Sequence, residues 1–543
     1  MLNLQYTSIE RQIMTSDSNS SCESSDEQKL EFVTTQNQPH SDLESFNSGK
    51  EHEDEEKPNP FADVEFAQGK TIVDWDGPDD PENPQNWKLW RKLVVTILIS
   101  LTTTSLYMGA AIYSPAIPEV MRDMDVPEVK AALGLTLFVW GYGIGSLWFS
   151  PMSEIPFFRG RNPTYFACQF IFAILQIPTA LSNHIGGFAV LRFLGGIFAS
   201  PPLSTAGATL GDIWVLPAYA VALIIWAFGA IAGPFLGPLI GGALVQGHNR
   251  HYIFWFMLAV SGGMFVLMII FLPETSAQEL LTRKARRLRK ETGDPNIVSP
   301  GEIINHTHTV KEILKLMFFK PIEMTIMEPV LLLIDLHLGL VYSLMYLYFE
   351  AFPLVYQGLY GFNLVELGCA YLSLLIGAVI GCIVYLGYMG YAGPRITELE
   401  KLFSLSATFG ACLLPVGIMV FGWCGREGFN WSVSMVGNIF FAWAAFILFQ
   451  SYFGFIGIMY PPSAVGSAFA SNNIVRSLMG GAFPLFGTVM YNHTAIDKYP
   501  VGWGCTILGI VALMLIPLPI YLYFRGKSLR EYAQKKYGGK LHR

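Results

Sequence analysis

The fold is decided by the segment from Leu191 to Leu244, which reads LRFLGGIFASPPLSTAGATLGDIWVLPAYAVALIIWAFGAIAGPFLGPLIGGAL. It contains two apolar spans joined by a short turn. The first span carries a full charge, Arg192, near its start. A guanidinium inside a membrane span costs at least about 2.5–3.5 kcal/mol on insertion scales, so we expect Arg192 to face a cavity or a partner. A bond to a helix carbonyl is the structural alternative.

The second span has a glycine at every fourth position, and a proline follows two of them: Gly229, Gly233, Pro234, Gly237, Pro238 and Gly241. Four-residue spacing keeps the glycines on one helical face, which a neighbouring backbone can approach closely. The prolines interrupt the hydrogen-bond ladder and let the helix bend. The pattern predicts a flex point between two halves of the protein, with plain helix packing as the alternative.

The composition is that of a membrane protein. Of the 543 residues, 52% are hydrophobic and only 14% charged, with a mean hydropathy of +0.39, whereas a soluble protein has about 25% charged residues. The acidic residues concentrate in residues 1–90, which hold 20 Asp/Glu and 6 Lys/Arg. This region is predicted to be a disordered tail that ends in a pre-membrane segment, DWDGPDDPENPQNW (Asp74 to Trp87), at the membrane interface.

Apolar segments long enough to cross about 30 Å of hydrocarbon occur in two groups of six. They are 93–117, 132–152, 164–183, 187–211, 218–243 and 252–272, then 328–356, 367–389, 402–423, 433–456, 466–491 and 503–524. The predicted fold is an all-α membrane protein of twelve transmembrane helices in two pseudo-symmetric six-helix bundles. The predicted divisions are 1–90 (tail and pre-membrane segment), 91–272 (first bundle), 273–327 (central loop), 328–524 (second bundle) and 525–543 (basic tail).

The lysines and arginines predict the orientation. With a cytoplasmic amino terminus, 28 of them fall on the cytoplasmic side and 5 on the other, while Arg192 and Arg476 lie within spans. Both termini and the central loop are therefore expected in the cytoplasm. The central loop contains RKARRLRKE (Arg283 to Glu291), predicted to be a basic helix on the inner membrane surface.

Two acidic residues of the seventh span are the candidate proton carriers. Glu350 lies deep in the span among aromatic residues, and Asp335 lies nearer the cytoplasmic end, two residues from His337. Desolvation of a carboxyl group favours its neutral form, which a reversible proton carrier requires. We expect Glu350 rather than Asp335 to carry the proton, with Arg192 setting the charge balance around it.

Three further groups of residues are assigned candidate roles. The inner loop SPMSEIPFFRGRNP (Ser150 to Pro163) and the end of the fourth span suggest a charge lock that breaks when the halves move, or an ordinary helix-end anchor. Arg476 is either a second buried charge or snorkels to the interface. The predicted charge lock is Glu154, Arg161 and Asp212; the predicted eleventh-span hinge is Gly480, Gly481 and Pro484; the predicted substrate cavity is Tyr107, Tyr113, Phe228, Tyr342, Tyr346, Gln450 and Tyr452.

On these residues the chain resembles the major facilitator superfamily, and more narrowly the fungal twelve-span drug:proton antiporters of the azole- and benomyl-resistance kind. The resemblance covers about residues 70–540. It is carried by the pre-membrane segment, the inner loop, LRFLGGIFASPPLSTAG with its arginine at Arg192, GAIAGPFLGPLIGG, which is similar to the motif that marks antiporters, and GGAFPLFG in the eleventh span. The inner loop departs from the family pattern at Ser150 and Ile155.

The resemblance implies a proton-coupled antiporter that exports small hydrophobic or amphipathic xenobiotics across the plasma membrane by alternating access. A nutrient or polyamine permease of the same fold, or a membrane sensor that does not transport, are the alternatives. The sequence contains no GxxxxGK[ST], GxSxG or HExxH motif, and its seven cysteines have no metal-ligand spacing. No enzyme activity, cofactor or metal is therefore predicted; the expected partners are substrates, protons and lipid, with no nucleic acid, around a monomer.

Overall fold

The structure is a computed structural model. It describes residues 69–154, 158–215, 218–307, 310–496 and 498–538; the predicted acidic tail therefore lies almost wholly outside the described residues. Helices make up nearly all of the described chain. The one sheet within it is a parallel pair of two-residue strands, β1 (Thr71–Ile72) and β2 (Ile297–Val298).

The first half begins after the turn-rich Asp74–Trp87 segment and ends before the central loop. Its helices are α1 (Leu89–Ala111), α2 (Ile117–Met124), α3 (Glu128–Glu154), α4 (Asn162–Leu181), α5 (Ile185–Ala199), α6 (Pro201–Ser204), α7 (Ala206–Ile213), α8 (Ala218–Gly247) and α9 (His251–Phe271). The central helices are α10 (Ala277–Thr292), α11 (Pro300–Thr307) and α12 (Val310–Met327).

The second half repeats the arrangement. Its helices are α13 (Pro329–Phe352), α14 (Leu364–Ala370), α15 (Leu372–Ala392), α16 (Leu399–Cys424), α17 (Trp431–Met459), α18 (Pro462–Ala482), α19 (Pro484–Thr494), α20 (Gly502–Met514) and α21 (Pro517–Gly538). Within the described residues, ten helical stretches are long and apolar enough to cross a membrane, and the bent pair α18–α19 makes eleven. The shorter apolar helix α5 supplies the twelfth span, in agreement with the predicted fold.

Several predicted spans are divided between two or more helices, among them the fourth and the eleventh. The fourth, predicted as 187–211, breaks after Ala199 because Pro201 and Pro202 have no backbone N–H to continue the ladder. The eleventh, predicted as 466–491, bends by 46° between Ala482 and Pro484. By contrast, α8 is one helix over 30 residues although it contains Pro234 and Pro238.

Helix contacts divide into those within a half and those between halves. Within halves, α1 packs on α8, α3 on α5, α13 on α18 and α16 on α17. Between halves, α3 packs on α18 and α19, and α8 packs on α14 and α15. The two halves therefore meet along two pairs of helices, with space left between them.

The pre-membrane segment packs on the central helix α10. Lys284 of α10, only 3% exposed as a side chain, lies 2.7 Å from a carboxylate oxygen of Asp76 and 3.2 Å from one of Asp80. Arg287 binds Glu82 at 2.8 Å. The hydrogen bond donated by the backbone N–H of Asp76 holds the pKa of Asp80 below its usual value. The positive charges of Lys284 and Arg287 on this face of α10 are thus balanced by acidic residues of the pre-membrane segment.

Candidate substrate and proton sites

A cavity lies between the two halves and takes its walls from both. Its empty volume, open solvent included, is about 460 Å³. The lining residues are Tyr107, Trp226, Ala227, Ala230 and Ile231 of the first half and Tyr342, Met345, Phe449, Phe453 and Arg476 of the second. A mostly apolar cavity with a few placed polar groups is typical of a binding site for a small hydrophobic molecule.

A cluster of tyrosine hydroxyl groups joins the halves beside this cavity. The hydroxyl of Tyr142, from α3, contacts the hydroxyl of Tyr342, from α13, and lies 3.5 Å from that of Tyr346. The hydroxyls of Tyr342 and Tyr346 are 3.3 Å apart. The ring of Tyr107 packs edge-on against Tyr142, with centroids 5.5 Å apart. The predicted cavity residues Tyr107, Tyr342 and Tyr346 are therefore brought together.

Arg476 is buried at this cavity and does not snorkel. Its Nη2 donates to the Tyr107 hydroxyl at 3.2 Å, across the interface, and to Oδ1 of Asn473 at 2.7 Å. Asn473 in turn donates to the hydroxyl of Ser146 in the first half at 2.6 Å. The guanidinium lies over the ring of Tyr342, 4.9 Å from its centroid. Arg476 of the second half is thus a buried cation in the cavity wall that is hydrogen-bonded to Tyr107 of the first half.

Asp335 and His337 are fully buried and face different helices. The carboxylate of Asp335 accepts hydrogen bonds from Ser471 at 2.6 Å and from Asn472 at 2.9 Å, both on α18. His337 contacts the hydroxyl of Tyr452 on α17 through Nδ1 at 2.9 Å, while its Nε2 has no partner. Asp335 is therefore a carboxyl group held by neutral donors, and the described residues provide it with no ion pair.

Glu350 lies near the opposite end of α13 and contacts the first half through one threonine. The Thr488 hydroxyl is 2.9 Å from Oε2 of Glu350 and 2.9 Å from Oε1 of Glu128, which begins α3. The other oxygen of Glu350 is buried without a partner. A hydroxyl has one proton and donates to one acceptor at a time. The two carboxyl groups therefore share the single proton of the Thr488 hydroxyl.

Arg192 is buried inside the first half and lies away from the cavity. Its Nε donates to the carbonyl of Gly134 at 2.8 Å, and its Nη2 is 3.4 Å from the carbonyl of Ala110. The rings of Tyr113, Phe138 and Phe254 surround the guanidinium, at 4.4 Å from the centroid for Phe138. Arg192 thus makes the hydrogen bonds to helix carbonyls that were predicted as the alternative to facing a cavity or a partner. Among the residues that the structure describes, it forms no ion pair with Asp335 or Glu350.

The predicted lock residues Arg161 and Asp212 form an ion pair, with Nε 2.6 Å from Oδ2. Both residues belong to the first half. Glu274, at the start of the central loop, accepts hydrogen bonds from the backbone N–H groups of Arg161 at 3.0 Å and Asn162 at 3.2 Å. The side chain of Glu154 lies outside the described part of the chain. In this structure the pair therefore joins two elements of the first half.

The glycine ladder of α8 faces α1 of the same half. A Cβ at Gly233 would come within 2.6 Å of the Thr104 carbonyl oxygen, and one at Gly237 within 2.8 Å of the Ile112 nitrogen. In α18, a Cβ at Gly481 would come within 2.5 Å of the Trp140 ring, which belongs to the other half. Gly480 faces Tyr342 of its own half, and the bend follows at Pro484.

The other predicted cavity residues lie elsewhere. Tyr113 donates its hydroxyl to the Ala131 carbonyl inside the first half at 2.8 Å. Phe228 packs against a cluster that includes Phe446 of the second half. Tyr452 contacts His337, and neither it nor Gln450 lines the cavity.

Sequence reasoning did not assign roles to Glu128, Thr488 and Glu274. A glutamate at the start of a span reads as a helix-end charge, and a lone threonine in an apolar helix carries no signal. Phe449 and Phe453 also line the cavity; their four-residue spacing shows that they share a helix face, but it does not indicate which face looks inward.

Two bundles of six spans that meet along two helix pairs, with an aromatic cavity and buried charges between them, define a membrane transporter. The chain belongs to the Major Facilitator Superfamily, whose match covers residues 99–484.

Its relatives include named resistance proteins and transporters. A "Cycloheximide resistance protein" of Candida maltosa is 44% identical over 484 residues, which are 87% of this chain and 87% of that protein. "Transporter mfs1" of Schizosaccharomyces pombe is 41% identical, over 89% of this chain and 91% of that protein. "Fluconazole resistance protein 1" of Saccharomyces cerevisiae is 38% identical, over 84% of each.

Proposed function

We propose that this protein is a proton-coupled antiporter that exports small hydrophobic or amphipathic xenobiotics across the plasma membrane by alternating access, without a cofactor. The observation that carries the proposal is the aromatic cavity of about 460 Å³ between the halves. The names of its relatives, which speak of resistance to cycloheximide and fluconazole, support export of toxic compounds.

The proposed energy source is the proton gradient. One proton that enters down about 100 mV supplies about 2.3 kcal/mol, and one pH unit adds about 1.4 kcal/mol. Together these sustain a substrate gradient of a few hundredfold. We assign the proton to Glu350, with Asp335 as the second candidate, because Glu350 is buried with one carboxyl oxygen unpartnered and shares the Thr488 hydroxyl with a second carboxyl group, Glu128.

We further propose that the protein is a monomer and that both termini and the central loop lie in the cytoplasm. The excess of lysine and arginine on that side, 28 against 5, supports this orientation. It puts Asp335 toward the inner end and Glu350, with Thr488 and Glu128, toward the outer end. In the proposed cycle, Glu350 binds a proton from the outside after the substrate has left, and the outer end of the protein then closes.

The direct test is transport of cycloheximide by the purified full chain in liposomes with an acidic interior. Outward proton flow should drive accumulation of cycloheximide inside, and a protonophore should abolish it. Glu350→Gln should lose accumulation but keep exchange down the substrate gradient. Equal accumulation with and without a pH or voltage difference would contradict proton coupling, and wild-type transport that only equilibrates cycloheximide would favour a uniporter.

Thr488 offers a sharper test of the proton assignment. Thr488→Val keeps the shape of the side chain but removes the hydroxyl, and loss of a hydrogen bond to a charged group of about 1.5–3 kcal/mol should lower proton-driven accumulation about tenfold or more. Thr488→Ser keeps the hydroxyl and should stay near wild type. Equal activity of the valine and serine variants would show that the hydroxyl contributes nothing to coupling.

A further inference from the structure

The charge of the cavity selects its substrates. Arg476 is the cationic residue of the lining and is only 8% exposed. Its Nη2 donates to Tyr107 and Asn473, whereas its Nε is buried with no hydrogen-bond partner. A buried donor without a partner requires an explanation in a folded protein, and the side chain to which this donor belongs lines the cavity.

No carboxylate in the described part of the chain lies within ion-pair distance of Arg476. The lining contains no acidic residue. Asp335, on the neighbouring helix, directs its carboxylate to Ser471 and Asn472. Within ion-pair distance, the guanidinium is therefore surrounded by dipoles and by the faces of three rings, those of Tyr342, Phe449 and Phe453.

We propose that the cavity binds aromatic or alicyclic compounds that are neutral or anionic and that present a hydrogen-bond acceptor, such as a carbonyl or carboxylate oxygen, to the guanidinium of Arg476. Permanent cations are excluded. Two like charges about 6 Å apart at an effective dielectric constant of about 20 repel enough to weaken binding on the order of 100-fold. The inference rests on the proposed export function, since it names the class of compound that is exported.

The acceptor requirement has a second physical basis. The rings of Tyr107, Trp226 and Phe449 supply apolar contact but no orientation, and the indole nitrogen of Trp226 is already engaged, donating to Thr103 at 3.1 Å. Besides the tyrosine hydroxyl groups, which already contact one another or Arg476, Arg476 is therefore the charged donor of the lining that orients a ligand. A site with an unpaired buried donor discriminates strongly against molecules that leave it unpaired.

Binding of three matched compounds to the purified full chain tests the proposal: benzophenone, its carboxylate derivative and its trimethylammonium derivative. Each is a photoreactive ketone, so saturable labelling reports both affinity and location. For the wild-type protein we expect the ketone and the carboxylate to bind at least about tenfold more tightly than the cation, and the label to be found on peptides that contain cavity residues.

Variants separate the charge from the donors. Arg476→Gln keeps an N–H donor without charge and should bring the three affinities within about threefold of one another, mainly by improving binding of the cation. Arg476→Lys keeps the charge and should keep the exclusion of the cation. Arg395→Gln removes an exposed arginine outside the cavity and should leave the wild-type order unchanged.

Equal wild-type affinity for the cation and the ketone, absence of saturable labelling by all three, or an unchanged order in Arg476→Gln would each overturn the proposal. The wild-type measurement stands without any variant. Because binding is measured with no proton gradient, selective binding without proton-driven export would refute the antiport function but not the selectivity. Proton-driven export of cations as readily as of neutral ketones would refute the selectivity but not the antiport function.

Discussion

Two helices carry the same kind of Gly/Pro pattern, and the structure uses them differently. In α8 the glycines face α1 of their own half, and the helix continues through Pro234 and Pro238. In the eleventh span the helix bends by 46° before Pro484, and Gly481 faces Trp140 of the opposite half. A small residue therefore marks a close contact, but only the partner helix decides whether that contact lies within one half or between the two halves.

Even α8 holds both kinds of contact. The glycine beside the ladder, Gly242, faces the backbone of Leu364 in the second half, where an added Cβ would lie 2.5 Å from the carbonyl oxygen. Gly368 of the second half approaches Leu239 of α8 in the same way: a Cβ added at Gly368 would lie 2.7 Å from the Cα of Leu239. One face of α8 thus packs on α1 of its own half, and the adjacent face packs on the second half.

The largest effect on unfolding is expected for Gly241→Val, which breaks the α1–α8 contact. A Cβ at Gly241 would overlap the carbonyl oxygen of Ile112, a backbone atom that cannot rotate away. Overpacking of this kind costs about 1–3 kcal/mol or more, so we expect a large loss of folded protein, read as the melting temperature in detergent. Gly262→Val in α9, where nothing lies within 4 Å, is the control and should melt near wild type.

Asp212→Asn should come next. It removes the anionic partner of Arg161 from an ion pair whose side chains are 9% and 17% exposed, and loss of one member of a buried pair costs about 3 kcal/mol. Because both residues lie in one half, the melting temperature should fall. Glu398→Gln, which disrupts an exposed pair with Lys401, should leave it unchanged. A variant with normal stability but altered transport would instead identify the pair as a lock between the halves.

Lys284→Met should have a smaller effect, because Asp80 keeps the N–H donors of Asp76 and Glu82. We expect a loss of about 1 kcal/mol. The pH dependence has a defined sign: folding lowers the pKa of Asp80 from its usual value of 3.8, so its contribution to stability is present above that value and is lost as the pH falls through the lower pKa of the folded state. The difference in melting temperature between wild type and Asp80→Asn should shrink on acidification; a constant difference would contradict the assignment.

The smallest effect on unfolding is expected for Gly481→Ala, with the clearest effect on transport. The added methyl group would lie 2.5 Å from the Trp140 ring, which can shift if the halves separate. Stability should stay within about 1 kcal/mol, while liposome transport slows. Gly466→Ala in the same helix has nothing within 4 Å and should transport normally. A strong loss of stability in Gly481→Ala alone would mean that this contact is as rigid as the one in α8.

Much of the architecture was predictable from sequence. Twelve apolar segments, grouped six and six, predicted the number of spans, since crossing hydrocarbon imposes length and composition on each segment. The buried charges were predictable as residues but not as partners. Arg192 and Glu350 were expected to act together, yet Arg192 binds carbonyls within the first half and Glu350 shares Thr488 with Glu128. Spacing along one helix carries no information about which helix lies opposite.

The sequence by itself determined the class of protein: its hydrophobicity, glycine ladders and motif segments specify a twelve-span transporter, because burial in lipid constrains every span locally. The tertiary structure alone decided which side of each helix meets its own half, the other half or the cavity. That choice depends on contacts between residues hundreds of positions apart, such as Tyr107 with Arg476 and Glu128 with Thr488. It is these contacts that turn aromatic and charged residues into candidate sites for substrate and proton.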